Sequence, residues 1–183
     1  MTTTGTHAEL GGGWPDIAGD TALTLKVPAA DPLVRTAAPA HVTVLYPFLH
    51  ESRLDGAVHA ELARLFGAHD AFEVTFAEFG RFPGVLFLEP LPKDPVTALT
   101  KEITRRWPEA EPYRGVFGGG LEPHLTLAVS EVPYAEGAFH DALEAELAPA
   151  LPVTARIAAV HLIAWDGAQW RDRAVYELGR AAE

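Results

Sequence analysis

Near the start of the chain, Leu23, Leu25 and Val27 alternate with Ala22, Thr24 and Lys26. Alternation at a period of two predicts a half-buried strand, because successive side chains point to opposite faces. The same period recurs at 41–45, 72–79, 84–89, 124–128, 152–165 and 170–178. Elsewhere the apolar spacing is helical. Leu54, Val58, Leu62, Leu65 and Phe66 predict a helix over 52–68. Val96, Leu99, Ile103 and Trp107 predict a second, opened by Asp94-Pro95. Phe139, Leu143 and Leu147 predict a third over 134–147, with His140 at its surface. Asp31-Pro32 supplies an N-cap and a first-turn proline for a short helix. Gly80-Arg81-Phe82-Pro83 and Asp166-Gly167 predict hairpin connections. Strands interleaved with helices, yet often joined as hairpins, predict an α+β fold with antiparallel sheets.

Two of the strands carry the same pattern. One is His41-Val42-Thr43-Val44-Leu45 and the other is His124-Leu125-Thr126-Leu127-Ala128. A proline signal precedes each, Pro39-Ala40 and Pro123. In each, the histidine and threonine share one face and the aliphatics share the other. An imidazole exchanges a proton near neutral pH. Two of them flanking a reacting centre can serve as general base and general acid in one turnover. A threonine hydroxyl pointing the same way can donate to an anionic oxygen between them. His41, Thr43, His124 and Thr126 therefore form a candidate phosphate cradle that needs no metal. The sequence holds its own control at His50-Glu51-Ser52, which lacks the aliphatic alternation. There Ser52 reads as a helix N-cap.

The stretches from His41 to Phe48 and from Pro123 to Ala128 resemble the paired motifs of the two-histidine (2H) phosphoesterase superfamily. The nearest branch is the bacterial 2′-5′ RNA ligase-like proteins. The resemblance spans about Thr21 to Gly179. It implies two lobes related by a pseudo-two-fold, with antiparallel sheets, flanking helices and the His/Thr faces meeting in a central cleft.

Composition narrows the substrate. The formal net charge is −11, from 25 Asp and Glu against 14 Lys and Arg. Long nucleic acids are held by basic surfaces that displace counterions, so an extended RNA or DNA partner is not expected. A small nucleotide or a short RNA end is, since only the pocket must attract the phosphate. There is no cysteine, which excludes disulfides and thiolate metal sites. The His-x-Thr spacing is not a metal-ligand pattern, and no cofactor is expected. No run has the apolar length of a membrane span, and the first residues lack a signal-peptide pattern. A cytoplasmic monomer is expected. Residues 1–20, rich in Thr and Gly, read as a mobile tail before a single domain over 21–180.

The expected activity is metal-independent hydrolysis of a nucleotide-type phosphodiester, a 2′,3′-cyclic phosphate above all. His41 and His124 are the catalytic pair, and Thr43 and Thr126 hold the phosphate. Arg81, in the predicted connection, and Tyr113, in the irregular stretch over 108–122, are further candidates for the phosphate. That stretch, with Gly118-Gly119-Gly120, reads as a flap over the pocket or a plain connector. The alternatives are 2′-5′ ligation, which runs the same chemistry backwards, and nucleotide binding without turnover.

Overall fold

In the computed structural model of the chain, residues 16–118, 122–132 and 135–179 are described. Eight strands form one antiparallel sheet: β1 (Thr21–Lys26), β2 (His41–Leu45), β3 (Phe72–Phe82), β4 (Val85–Leu91), β5 (Leu125–Val129), β6 (Val153–Ile157), β7 (Ala159–Trp165) and β8 (Trp170–Glu177). Their spatial order is β6-β3-β4-β5-β2-β1-β7-β8. The two motif strands, β2 and β5, are therefore neighbours at its centre. Outward from that junction run β1, β7 and β8 on one side and β4, β3 and β6 on the other. This is the expected α+β fold with pseudo-two-fold halves, and the halves are joined into a single sheet. The joint is one residue pair, Val42 opposite Leu125.

One face of the sheet is the core. Leu23, Leu25, Val42, Val44, Leu86, Leu88, Leu125, Leu127, Val160 and Leu162 all lie buried. Helices α1 (Gly56–Gly67), α2 (Asp94–Arg106) and α3 (Ala138–Leu147) pack on β8, β2 and β4 respectively. Helix α2 presents Val96, Leu99 and Ile103 inward, with Trp107 buried beyond its end. Its Thr100 hydroxyl donates to the Val44 carbonyl at 2.7 Å, which ties the helix to the first motif strand. Tyr46 and Phe48, just beyond β2, are buried as packing residues. Among the described residues no helix is long and apolar enough to cross a membrane.

Several local expectations are corrected. The helix predicted from Ser52 begins at Gly56, with Asp55 as N-cap accepting from the Val58 amide at 2.9 Å. Ser52 lies instead in a 3-10 turn and donates its amide to His50 Nδ1. Asp31 and Pro32 sit inside a 3-10 helix, Pro28–Leu33. The Asp31 carboxylate caps no helix there. It accepts the Ala40 amide at 2.8 Å and so fastens the residue that precedes His41. The run over 152–165 is two strands, not one. β6 pairs with β3 and β7 with β1, so the break at Ala158 carries the chain from one half to the other. Helix α3 starts at Ala138, and Tyr134 lies outside the described residues. His140 is buried, with Nε2 against the Phe82 and Val85 carbonyls. Of the predicted tail, residues 1–15 lie outside the described residues. Gly19 is built into the fold, because its amide donates to the Trp165 carbonyl and its carbonyl accepts from Glu51.

Candidate active site

His41 opens β2, and His124 stands one residue before β5. The Val42/Leu125 pair sets their relation. Extending that antiparallel register by one residue each way places His41 opposite Thr126 and Thr43 opposite His124. Val42 and Leu125 are buried on the core face, so these four side chains share the other face. Directly opposite residues lie about 5 Å apart at Cβ and diagonal ones about 7–8 Å apart. The two imidazoles are the diagonal pair, set across the two threonines. All four residues are half-buried.

Both rings are held alike. His41 Nδ1 lies 2.7 Å from the Pro39 carbonyl, and His124 Nδ1 lies 2.9 Å from the Glu122 carbonyl. A carbonyl only accepts, so Nδ1 carries the proton in both rings. The Nε2 lone pair of each neutral imidazole is then free to take a proton. Burial is the main cause that lowers the proton affinity of both histidines below the ordinary value. The carbonyl contacts oppose it. Lys26 lowers His41 further, and His41 itself lowers His124.

The surroundings are not symmetric. On the His41 side, β1 places Lys26 opposite His41 and Thr24 opposite Thr43. The Lys26 ammonium is clasped by both oxygens of Asp172, at 2.7 and 2.8 Å. On the His124 side, β4 places Phe87 opposite Thr126. Phe82 and Phe87 pack on each other at 4.4 Å between ring centres, and each lies within 5.4 Å of the His124 ring. Gly80, opposite Phe87, makes this possible, since a Cβ there would stand 2.1 Å from the Phe87 ring.

Tyr113 is brought to the site beside Thr43, whose side chain opposes the effect of burial on the phenol. Burial pushes the phenol up to about 12, so it stays protonated at neutral pH. Arg81 is not brought there. β3 continues through Phe82, so Arg81 is a strand residue whose neighbours Gly80 and Phe82 take the site face. Period two turns Arg81 to the opposite face. There its guanidinium pairs with Glu144 at 2.6 Å and Asp141 at 2.9 Å on α3. Lys26, Phe82 and Phe87 were not among the expected site residues. The alternation of their strands could have assigned each a face, but only the strand order shows which faces adjoin the histidines.

Among the described residues no group of three or more His, Cys, Asp or Glu is placed to hold a metal. A surface recess of about 540 Å³ is lined by Ala18, Gly19, His50, Glu51, Ser52, Trp165, Asp166 and Arg173. It shares no residue with the His/Thr set. Its Arg173 is engaged by Glu51 at 2.5 Å.

Comparison with known proteins agrees with this arrangement. The family model described as the 2′-5′ RNA ligase superfamily matches residues 21–169. No curated protein matches in sequence. Among solved structures, Escherichia coli LigT complexed with NADP+ superposes with a TM-score of 0.59 at 15% identity. The match covers 89% of this chain and 99% of that one. LigT complexed with 3′-AMP gives 0.56 at 15% identity, over 88% and 99%. TT0787 of Thermus thermophilus gives 0.57 at 15% identity, over 89% and 100%. At such identities these likenesses speak for the fold, while the family model spans most of the chain, from β1 through the β7–β8 turn. With paired His-x-Thr strands at the centre of one antiparallel sheet, the chain belongs to the 2′-5′ RNA ligase superfamily, the LigT-like 2H phosphoesterases.

Proposed function

We propose that the chain is a metal-independent phosphodiesterase that opens nucleoside 2′,3′-cyclic phosphates. The observation that carries this reading is the junction of β2 and β5, where two imidazoles with carbonyl-bound Nδ1 stand diagonally across two threonines. One histidine takes a proton from water through Nε2. The water oxygen bonds to phosphorus, and the bond from phosphorus to one ribose oxygen breaks. The other histidine, protonated at Nε2, gives its proton to that oxygen. Thr43 and Thr126 donate to the non-bridging oxygens, where charge accumulates. A phosphate between the rings needs no further cofactor for this sequence of steps.

Two observations favour a nucleotide as the carrier of the phosphate. Aromatic rings flank the His/Thr set on both sides, Phe82 and Phe87 beside His124 and Tyr113 beside Thr43. Phe117, 42% exposed, extends the second group at 5.3 Å from Tyr113. Such faces suit a nucleobase. The related LigT has been solved with 3′-AMP and with ATP. Hydrolysis is favoured over ligation by the acidic composition, 25 Asp and Glu to 14 Lys and Arg, because a ligase must hold two RNA ends. A direct competition tests the choice. The chain is offered an oligoribonucleotide ending in a 2′,3′-cyclic phosphate together with one bearing a 5′-hydroxyl. The expected product is the opened phosphomonoester. Accumulation of a 2′-5′-joined strand would instead establish ligation.

The proton affinities give a pH dependence with a definite sign. The mechanism needs one imidazole neutral and one protonated, and kcat/KM reports both in the free protein. Both titrate below the ordinary 6.5. The kcat/KM profile for a cyclic nucleotide is therefore bell-shaped with its maximum below pH 6.5. It falls on the alkaline side as the acid loses its proton, and on the acid side as the base gains one. A bound phosphate anion favours the imidazolium, so the kcat maximum lies at higher pH than the kcat/KM maximum. An initial-rate series from about pH 4 to about pH 9 checks both. A kcat/KM maximum above about pH 7 would contradict the assignment of these two groups.

A further inference from the structure

Lys26, His41, Thr126 and Phe87 stand in one row across β1, β2, β5 and β4, on the face of the His/Thr set. That set therefore has an ammonium on one flank and aromatic rings on the other, where Phe82 packs on Phe87. The Lys26 ammonium is not turned to His41. It reaches over β7 to both oxygens of Asp172 on β8, at 2.7 and 2.8 Å. The side chains of this pair are 32% and 63% exposed, and an ion pair so open to water is worth little. The lysine stem is flexible, so the ammonium can leave Asp172 for a stronger anion nearer the cradle.

The His124 flank is acidic instead. One residue beyond the Leu88/Leu125 pair, the register sets Glu89 opposite His124, and Glu89 faces Glu78 across the next ladder. Lys93 is shared there between Glu89 at 2.8 Å and Glu122 at 3.9 Å. An anionic group beside the reacting phosphate is repelled from that flank and attracted to the other. Nucleotide chemistry fits this polarity. With a 2′,3′-cyclic phosphate between the histidines, the C2′–C3′ edge of the ribose lies over the cradle. The base on C1′ and the 5′ substituent on C4′ then point to opposite sides of that edge. A base against Phe82 turns the 5′ oxygen toward β1. Neighbouring strands lie about 4.8 Å apart, so β1 runs roughly 7 Å from the midline between β2 and β5. One nucleotide spans a comparable distance from its cyclic phosphorus to a phosphorus on its 5′ oxygen.

We infer that Lys26 forms a second phosphate subsite, which takes the 5′-phosphate of the nucleotide whose cyclic phosphate lies between His41 and His124, and that Asp172 holds the ammonium until that phosphate arrives. This rests on the phosphodiesterase reading above and narrows its substrate to 5′-phosphorylated nucleotides.

Steady-state hydrolysis by the full chain tests it, with cytidine 2′,3′-cyclic phosphate and its 5′-phosphorylated form as substrates. The quantity read is the ratio of kcat/KM for the second over the first. The charge of Lys26 is also felt at His41, and that effect cancels in a ratio. The wild-type ratio is expected at about ten, the scale of one charge-assisted phosphate contact. Lys26→Gln brings it to about one. Asp172→Asn raises it about threefold, since the ammonium no longer has a carboxylate to leave. A pair that merely tied β1 to β8 would give both variants the same change, or none, and would overturn the inference. Lys93→Gln removes the same charge from the His124 flank and leaves the ratio at its wild-type value. A fall there as large as that of Lys26→Gln would assign the effect to the overall field and contradict the inference. A wild-type ratio of one or less also overturns it, and leaves the phosphodiesterase reading standing because substrate is turned over. A wild type inert on both substrates rejects that reading and the inference with it. Cytidylyl-cytidine ending in a 2′,3′-cyclic phosphate separates the two sources of such a phosphate. A ratio like that of the monoester assigns the subsite to the end of an RNA strand, and a ratio near one assigns it to a free 5′-phosphate.

Discussion

His41→Ala and His124→Ala each lower kcat/KM for nucleoside 2′,3′-cyclic phosphates by at least about a hundredfold, the lower end for loss of a general acid or base. The size follows from the roles. Each histidine handles a proton on a different oxygen, so neither ring replaces the other. Loss of one leaves water at ambient pH to do its work. The fold should survive both changes. The sheet is joined at this point by Val42 and Leu125, whose side chains lie on the core face and are untouched. What each substitution removes besides the Nε2 group is the contact to Pro39 or to Glu122 and, for His124, the ring packing on Phe82 and Phe87. Thermal midpoints close to wild type, with activity lost, are the expected pair of results. Activity retained in either variant would remove that histidine from the mechanism.

Thr126→Val lowers kcat by about a hundredfold, the scale for removing one donor to an oxygen that gains charge in the transition state. Thr43→Val has an effect of the same size, because Thr43 stands opposite His124 as Thr126 stands opposite His41. Valine keeps the shape and the branched Cβ that suits a strand, and both sites are only half-buried. Folding is therefore little affected. Initial rates at saturating substrate, with each variant's circular dichroism, measure this. A loss confined to KM would mean that the hydroxyls bind ground state and transition state equally.

The parts of the fold that could be read from the chain are those whose signal is local. β2 and β5 were legible because one face of each is core and alternation follows from that. The turn at Asp166-Gly167 was legible because the Asp166 carboxylate accepts the next amides, from Ala168 and Gln169. That His41 shares a face with Thr43, and His124 with Thr126, was legible for the same reason, since a spacing of two puts both side chains on one face wherever the strands end up.

What depends on strand order was not legible. Apolar alternation runs on through Ile157 and Ala159, so nothing local marks the crossing from β6 to β7. Arg81 read as a loop residue because Gly80 and Pro83 look like a turn. The turn is at Pro83 and Gly84, and Gly80 is small for another reason, the Phe87 ring beside it. His140 read as surface because it stands beside the apolar stripe of α3. Its burial comes from the end of the β3–β4 hairpin, whose carbonyls it meets. Tyr113 was singled out by its place before the second motif, and its packing on Tyr46 at the end of β2 arises from a backbone conformation that no periodicity reveals.

Everything proposed for this site depends on two histidines opening a cyclic phosphodiester without a metal. A phosphorus NMR time course of cytidine 2′,3′-cyclic phosphate with the wild-type chain, in excess EDTA, bears on it with the fewest intervening steps. The cyclic signal is expected to give way to that of one phosphomonoester, at a rate unchanged by the chelator. Turnover that EDTA abolishes would place the chemistry on a metal. A cyclic signal that persists in the presence of the folded chain would contradict hydrolysis of this substrate altogether.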